Sequence, residues 1–241
     1  MIKLSIVIPA YNEEQRIGRT LEKIIEYIKK RKLRAEIIIV DDGSTDATSS
    51  VVQSVQKKHP RADIHHLFYT KNKGKGYAVK EGMRKAKGDW ILLTDSDLAT
   101  PIEELDRFLK YRTSDIIIGS RAMHDSNVQT LLHKKLLGRI GNLLISLLAV
   151  KGVKDTQCGF KLFKGSVAKK LFALQTIDRF GFDFEILFLA QRYGYAIKEI
   201  PVHWVNQPGS KVKGSDYFKT LLELFKIRWN DLRGVYPATV R

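Results

Sequence analysis

The chain is 241 residues long, with 44% hydrophobic and 28% charged residues, which excludes a disordered protein and leaves room for one large α/β domain. Its 42 lysines and arginines outnumber 26 aspartates and glutamates. The net charge of +16 attracts polyanions such as nucleic acid, anionic lipid head groups or phosphorylated substrates. A single cysteine, Cys158, excludes an internal disulfide and suits a reducing cytoplasm.

The first 120 residues alternate between strand and helix patterns. Short apolar runs predict strands, and apolar residues spaced by three and four predict amphipathic helices. The predicted strands span residues 3–8, 36–40, 64–69, 89–94 and 115–119, and the predicted helices span residues 17–28, 46–58, 77–87 and 101–110. Such alternation is typical of a parallel sheet with helical crossovers.

After residue 120 the alternation weakens. Residues 131–149 predict a largely apolar helix, 155–165 a compact loop or strand, 182–193 a helix and 196–205 a strand. No stretch reaches the roughly 20 apolar residues that span a bilayer, and the N-terminus predicts a strand rather than a signal peptide. The chain ends in an amphipathic helix with one apolar face formed by Phe218, Leu221, Leu222, Phe225, Trp229 and Leu232.

Polar residues follow four of the predicted strands. The segments after these strands are 9–13, 41–44, 95–97 and 119–121. Each segment taken alone could be a turn or a helix cap. Because ligands of open α/β sheets bind beyond the carboxyl ends of the strands, four polar ends at one edge indicate a binding site.

Two carboxylates separated by one serine follow the fourth predicted strand. Asp95 and Asp97 repel each other at close range, so they either share a proton or bind a cation. Mg²⁺ is typically held by one or two carboxylates together with substrate phosphates. The pair therefore predicts a metal site for a diphosphate, although Asp-x-Asp by itself is a common pattern.

Several motifs resemble, in order and spacing, the nucleotide-binding half of family 2 glycosyltransferases. These motifs are SIVIPAYNEE, VDDGSTDAT, NKGKGYAVKEGM and DSDLATP. Four more are similar to the dolichyl-phosphate glucosyltransferases, the cousins of dolichyl-phosphate mannose synthase: GSRA, VKGVKDTQCGFKLF, GFDFEILFLAQ and WVNQPGSKV. The resemblance covers nearly the whole chain.

The resemblance implies a single α/β domain of the GT-A type. Its Rossmann-like, mostly parallel central sheet would be flanked by helices and followed by C-terminal amphipathic helices. Residues 1–122 would bind the nucleotide-sugar. Residues 123–241 would bind the acceptor and face the membrane.

The resemblance also implies roles for single residues. Asp97 would hold a Mg²⁺ or Mn²⁺ ion, and Asp95 would face the nucleotide-sugar and share in metal binding. Ser210 and Lys211 would close over the diphosphate. The implied nucleotide-sugar set is Pro9, Ala10, Tyr11, Glu13, Val40, Asp42, Lys75, Asp95, Ser96, Asp97, Arg121, Ser210 and Lys211. The catalytic candidates are Asp95, Asp97, Arg121, Asp155 and Asp183, of which the last two could equally be a loop cap and a helix-start charge.

The implied reaction moves a hexose, most simply glucose from UDP-glucose, onto a dolichyl or polyprenyl phosphate. In-line attack would invert the anomeric centre and give a β-linked product. The acceptor phosphate is already an anion, because its second pKa is about 6, so a strong general base is less necessary. Lys134 and Arg139, in the apolar helix predicted over residues 131–149, are the candidates for the lipid phosphate. The leucines of this predicted helix could also belong to the hydrophobic core.

Two departures from the resembling families matter. The mannose synthases usually carry a glutamine two residues after the second aspartate, where this chain has Ala99. The eukaryotic glucosyltransferases usually begin with a membrane-anchoring helix, which this sequence does not show. We therefore expect peripheral attachment to the cytoplasmic face of a membrane.

Other functions are less compatible with the sequence. A nucleic-acid-binding protein would suit the charge, but the basic residues are scattered and no nucleic-acid-binding signature is present, so no nucleic-acid partner is expected. The dinucleotide fingerprint fails because Gly74 and Gly76 are followed by Gly82. Simple membrane adhesion would not explain the acidic strand ends. A GDP-mannose enzyme, or a family 2 transferase for another UDP-sugar, remains the alternative.

Overall fold

A computed structural model describes residues 3–123, 126–129, 145, 149–207 and 214–239. The helix predicted over residues 131–149 lies almost entirely outside this range. The strands of the described residues are β1 (Lys3–Ala10), β2 (Arg34–Asp41), β3 (Asp63–Phe68), β4 (Trp90–Leu93), β5 (Ile116–Ser120), β6 (Asn127–Gln129), β7 (Lys161–Lys164), β8 (Ile197–Pro201) and β9 (His203–Val205).

Most of these strands form one central sheet. Its order is β3-β2-β1-β4-β7-β5-β8. Every pair within it is parallel except the two made by β7, which lies antiparallel between β4 and β5. This mostly parallel sheet with flanking helices confirms the predicted α/β class.

Helices cover both faces of the sheet. They are α1 (Ile17–Arg31), α2 (Thr48–Lys58), α3 (Lys75–Lys85), α4 (Leu105–Phe108, between 3-10 turns), α5 (Gly165–Leu174), α6 (Phe182–Arg192) and α7 (Gly214–Leu232). The helix predicted over residues 101–110 is thus three short pieces. Helix α5 was not predicted from the sequence. No helix among the described residues is long and apolar enough to cross a membrane.

The core forms two layers because successive side chains of a strand point to opposite faces. Ile6 and Ile8 of β1 pack with α1 and α2, whereas Val7 packs with α3 and α6 on the other face. All three side chains are fully buried. Burial on both faces explains why the strands are continuous apolar runs.

The strand predicted over residues 196–205 is in fact two strands. β8 pairs with β5 in the main sheet, and β9 pairs with β6 in a separate two-stranded sheet. The change occurs at Val202, whose N–H donates to the carbonyl of Ser120. β5 ends at Ser120, and beyond this point the chain pairs with β6 instead.

Candidate active site

The carboxyl ends of β1, β2, β4 and β5 meet at one edge of the sheet, as the sequence predicted. Pro9 and Ala10 end β1 and are buried, and Val40 is buried near the end of β2. Tyr11 is partly exposed just beyond β1. This edge therefore brings together the segments that the sequence assigned to the nucleotide-sugar.

The loop after β4 holds the two central carboxylates. Asp95 Oδ1 accepts a hydrogen bond from Lys75 Nζ at 2.7 Å. Asp97 Oδ1 accepts from the Ala99 N–H at 3.0 Å, and its Oδ2 lies 3.8 Å from Arg16 Nη1, too far for a hydrogen bond. Ser96 is buried, and its carbonyl accepts from the Thr20 hydroxyl.

The two carboxylates differ in their electrostatics. Burial alone would raise the pKa of Asp95, but the neighbouring charges of Lys75, Lys161 and Arg121 hold it below the ordinary value. Burial, and then the charge of Asp95, raises the pKa of Asp97. The pKa values of the two carboxylates are therefore shifted in opposite directions.

Two glycines of NKGKGYAVKEGM flank Lys75 and let the start of α3 pack closely against residues 177–178. A Cβ on Gly74 would lie 2.4 Å from the Asp178 carbonyl oxygen, and one on Gly76 would lie 2.6 Å from that of Ile177. Both positions must therefore be glycine for the start of α3 to lie this close to the carbonyl groups of Ile177 and Asp178. Burial alone would lower the pKa of Lys75, but the charges of Asp95 and then Asp183 outweigh it and raise the pKa.

Asp42 organises the loop that leads to Lys75. Its Oδ1 accepts from the Tyr69 hydroxyl and the Lys73 N–H, and its Oδ2 accepts from the Asn72 side chain and the Gly74 N–H, at 2.7–2.9 Å. Four bonds use the capacity of a carboxylate. A nucleotide could bond Asp42 only by replacing one of them.

Glu13, just before α1, also forms its hydrogen bonds with other groups of the protein. Its carboxylate accepts from Arg16 Nε at 2.6 Å and Nη2 at 2.7 Å. Its backbone N–H donates to the Thr48 hydroxyl. The side chain is buried at this edge, where it fixes Arg16 near Asp97.

Arg121, after β5, forms a bidentate pair with a buried carboxylate. Its Nε and Nη2 bond the two oxygens of Asp155 at 2.7 and 2.9 Å, and its N–H bonds Oδ2. The guanidinium also lies over the Trp204 ring, 5.6 Å from the centroid. The side chain of Arg121 is one-third exposed, so it can still face a ligand, whereas Asp155 faces Arg121.

A buried lysine, which the sequence patterns did not reveal, interacts with three carboxylates of the site, Asp95, Asp155 and Asp183. We call these three carboxylates the acidic floor. Lys161 Nζ donates to Asp183 Oδ1 and to the Cys158 carbonyl. Only 1% of Lys161 is exposed. Asp183 is thus paired with a buried cation.

Gly159 was also missed. A Cβ at this position would lie 1.9 Å from Asp95 Oδ2, so the loop before β7 passes directly against that carboxylate. Gly159 and Lys161 both belong to the motif DTQCGFKLF, which is the signal in the sequence that points to them.

Some predicted residues fall outside the described part of the chain. These are Lys134, Arg139, Ser210 and Lys211.

Another cluster with metal-ligand side chains, Glu36, Asp63 and His65, lies near the amino ends of β2 and β3. It is at the opposite edge from Asp95 and Asp97, because both strands run parallel toward the site.

Comparison with solved structures supports the fold. A Pyrobaculum calidifontis mannosyltransferase in complex with GDP-Man and Mn²⁺ superposes with a TM-score of 0.65 at 21% identity, covering 95% of this chain and 64% of that one. Glucosyl-3-phosphoglycerate synthase from Mycobacterium tuberculosis, with Mn²⁺, UDP and product, gives 0.67 at 18% identity, covering 95% and 79%. At these identities the likeness concerns the fold alone.

Sequence relatives are more specific. The family model for "Glycosyl transferase family 2" matches residues 5–172. A Trichomonas vaginalis dolichyl-phosphate beta-glucosyltransferase is 40% identical over 94% of this chain and 73% of its own length. The human and Saccharomyces cerevisiae proteins of that name are 36% and 34% identical, covering 87% and 98% of this chain and 69% and 77% of theirs. This chain is therefore a glycosyltransferase of family 2, in the group of the dolichyl-phosphate beta-glucosyltransferases.

Proposed function

We propose that the protein transfers glucose from UDP-glucose to a dolichyl or polyprenyl phosphate at a membrane surface. The observation that carries this proposal is the set of charges at the sheet edge: Asp95 and Asp97 beside Lys75 and Arg121. Such a set suits a metal-bound diphosphate. Residues 1–122 hold the donor, and residues 123–241 hold the acceptor and contact the membrane peripherally.

The residues present fit a divalent cation. Asp95 and Asp97 supply hard oxygen donors, and the Oδ2 atom of Asp97 has no hydrogen bond from Arg16 at 3.8 Å. We assign the ion, Mg²⁺ or Mn²⁺, to these two carboxylates. When bound, it would neutralise charge on the donor diphosphate. With Ala99 after the pair, water or substrate oxygens would supply the other ligands.

The chemistry needs little proton transfer. The acceptor phosphate oxygen attacks the anomeric carbon as the bond from that carbon to the UDP oxygen breaks. UDP leaves, and inversion gives a β-linked product. The acceptor is already anionic, which agrees with the pairing of Asp155 and Asp183 to cations. These two carboxylates position Arg121 and Lys161, and Lys75 and Arg121 stabilise the departing charge.

The donor assignment is tested with purified protein, a polyprenyl phosphate, Mg²⁺ and either radiolabelled UDP-glucose or GDP-mannose. We expect labelled lipid from UDP-glucose, with UDP released in equal amount. A higher kcat/KM for GDP-mannose would overturn the donor assignment and favour the mannose synthase alternative. A preference for another UDP-sugar would overturn only the assignment of glucose as the transferred sugar.

A further inference from the structure

Helix α7 exposes a continuous apolar stripe. Leu222, Phe225, Trp229 and Leu232 are 54%, 55%, 60% and 77% exposed. Their spacings of three, four and three place them within an arc of roughly 80° at 100° per residue. We call these four residues the apolar stripe.

The apolar stripe is not the core face of the helix. Leu224 and Ile227 are buried and pack into the core with α6. The helix therefore has two apolar faces, and only one of them packs against other described residues. Soluble monomers rarely expose such a patch without a partner.

Positive charge flanks the apolar stripe. Lys226 and Arg233 are exposed beside it on one side, and Arg228 is exposed on the other. An apolar face with aromatic residues and basic flanks is the pattern of helices that lie in the interface of anionic membranes.

The acidic side chains described on α7 turn toward the protein. Glu223 Oε2 accepts from the Gly181 N–H at 2.7 Å. Asp231 pairs with Arg192. Between residues 219 and 232, the described outer surface therefore presents apolar and basic side chains and no acid that would repel anionic lipid.

The same contacts join the inner face of α7 to the segment that precedes Asp183. Gly181, which bonds Glu223, precedes Asp183 by two residues, and Asp183 pairs with Lys161 in the acidic floor.

We infer that the apolar stripe of α7 is the surface that docks the enzyme on anionic lipid. Its aromatic and leucine side chains enter the interface while Lys226 and Arg233 contact the head groups. This inference names the membrane surface of the proposed function and rests on it for its biological purpose. The binding itself is measured without donor or acceptor.

The first test is co-sedimentation with vesicles of phosphatidylcholine containing about one-third phosphatidylserine. We expect Phe225→Ser combined with Trp229→Ser to weaken binding at least tenfold. The matched control is Phe68→Ser, which also removes an exposed aromatic ring, 66% exposed, but at the end of β3. Equal binding by the double variant and the control would overturn the inference.

The second test separates local charge from net charge. Lys226→Glu with Arg233→Glu should weaken binding, and wild-type binding should fall as salt rises. Lys29→Glu with Lys30→Glu changes the net charge equally on exposed residues of α1 and should bind almost as well as wild type. Equal losses in both variants would mean that overall charge, not α7, carries the attraction.

The third test uses the fluorescence of Trp229. Of the three tryptophans, Trp90 is buried and Trp204 is partly buried. Brominated lipids should quench wild-type emission on binding and should barely quench Trp229→Phe. Undiminished quenching in that variant would overturn the placement of the stripe in the lipid.

Failure of this inference is distinguishable from failure of the proposed function. Transfer to a short, water-soluble prenyl phosphate should be unchanged in the Phe225→Ser and Trp229→Ser double variant. If sedimentation shows that wild type is a dimer and the double variant a monomer, the stripe is a subunit interface and the lipid assignment is wrong. Loss of transfer to every acceptor by wild type would instead contradict the proposed function.

Discussion

Lys161 shows how one residue controls several charges. Its ammonium group is buried and pairs with Asp183. Its charge adds to the larger effect of Lys75 in lowering the pKa of Asp95, and to the larger effect of Arg121 in lowering that of Asp155. Removing one partner of a buried pair leaves the other unpaired, which typically costs about 3–5 kcal/mol. Lys161 is therefore a positioning residue for the acidic floor.

We expect Lys161→Met to lower the free energy of unfolding by about 3–5 kcal/mol and kcat by more than tenfold. Lys161→Met with Asp183→Asn removes both charges and should recover much of the stability but not the activity. Urea unfolding and steady-state kinetics measure the two effects. Recovery of kcat by the double variant would show that Lys161 acts only through stability.

Gly159 is a second residue whose role depends on its neighbour. An added Cβ would collide with Asp95 Oδ2, so Gly159→Ala must displace either the loop or the carboxylate. We expect kcat/KM to fall at least tenfold. Gly194→Ala is the control, since its φ is +73° and no atom lies within 4 Å of its Cβ position. It should cost about 1 kcal/mol of stability and leave kcat unchanged.

At the scale of elements, α6 anchors the loop that supports Lys75. Glu185 is completely buried. It accepts hydrogen bonds from the Thr176 N–H and hydroxyl, the Ile177 N–H and the Tyr236 hydroxyl. Because the Ile177 carbonyl packs on Gly76, this network links α6 and the C-terminal segment to the start of α3.

We expect Glu185→Leu to destabilise the protein by about 3 kcal/mol, because it leaves several buried donors unsatisfied. Tyr236→Phe removes one bond and should cost about 1 kcal/mol. Thermal and urea unfolding of both variants measure the difference. Equal losses of unfolding free energy in the two variants would show that Glu185 contributes no more than its single bond to Tyr236.

Sequence patterns predicted the β1–β5 alternation well but missed α5 and the position of β7. The repeated strand-helix pattern is local, so periodicity reveals it. The insertion of β7 antiparallel between β4 and β5 depends on contacts between residues far apart in the chain, such as Ile91 with Phe163 and Ile117 with Leu162. Local periodicity carries no information on such pairings.

At the scale of the whole molecule, the proposed metal site is separate from the core. Asp97 lies in a loop and is partly exposed, whereas the core layers lie on the two faces of the sheet. We expect EDTA to abolish transfer and to weaken UDP binding, measured by calorimetry, while the melting temperature changes little. Added Mg²⁺ or Mn²⁺ should restore both. A large fall in melting temperature would indicate a structural ion instead.

The sequence by itself determined the α/β class, the polar strand ends and the carboxylate pair, because these follow from short-range periodicity and from motifs that are contiguous in the chain. Only the tertiary structure decided which charges pair. Lys161 forms an ion pair with Asp183, and Arg121 forms one with Asp155, because β7 inserts between β4 and β5. That packing left Asp155 and Asp183 as partners of cations. The exposure of the second apolar face of α7 is likewise visible only in the tertiary structure.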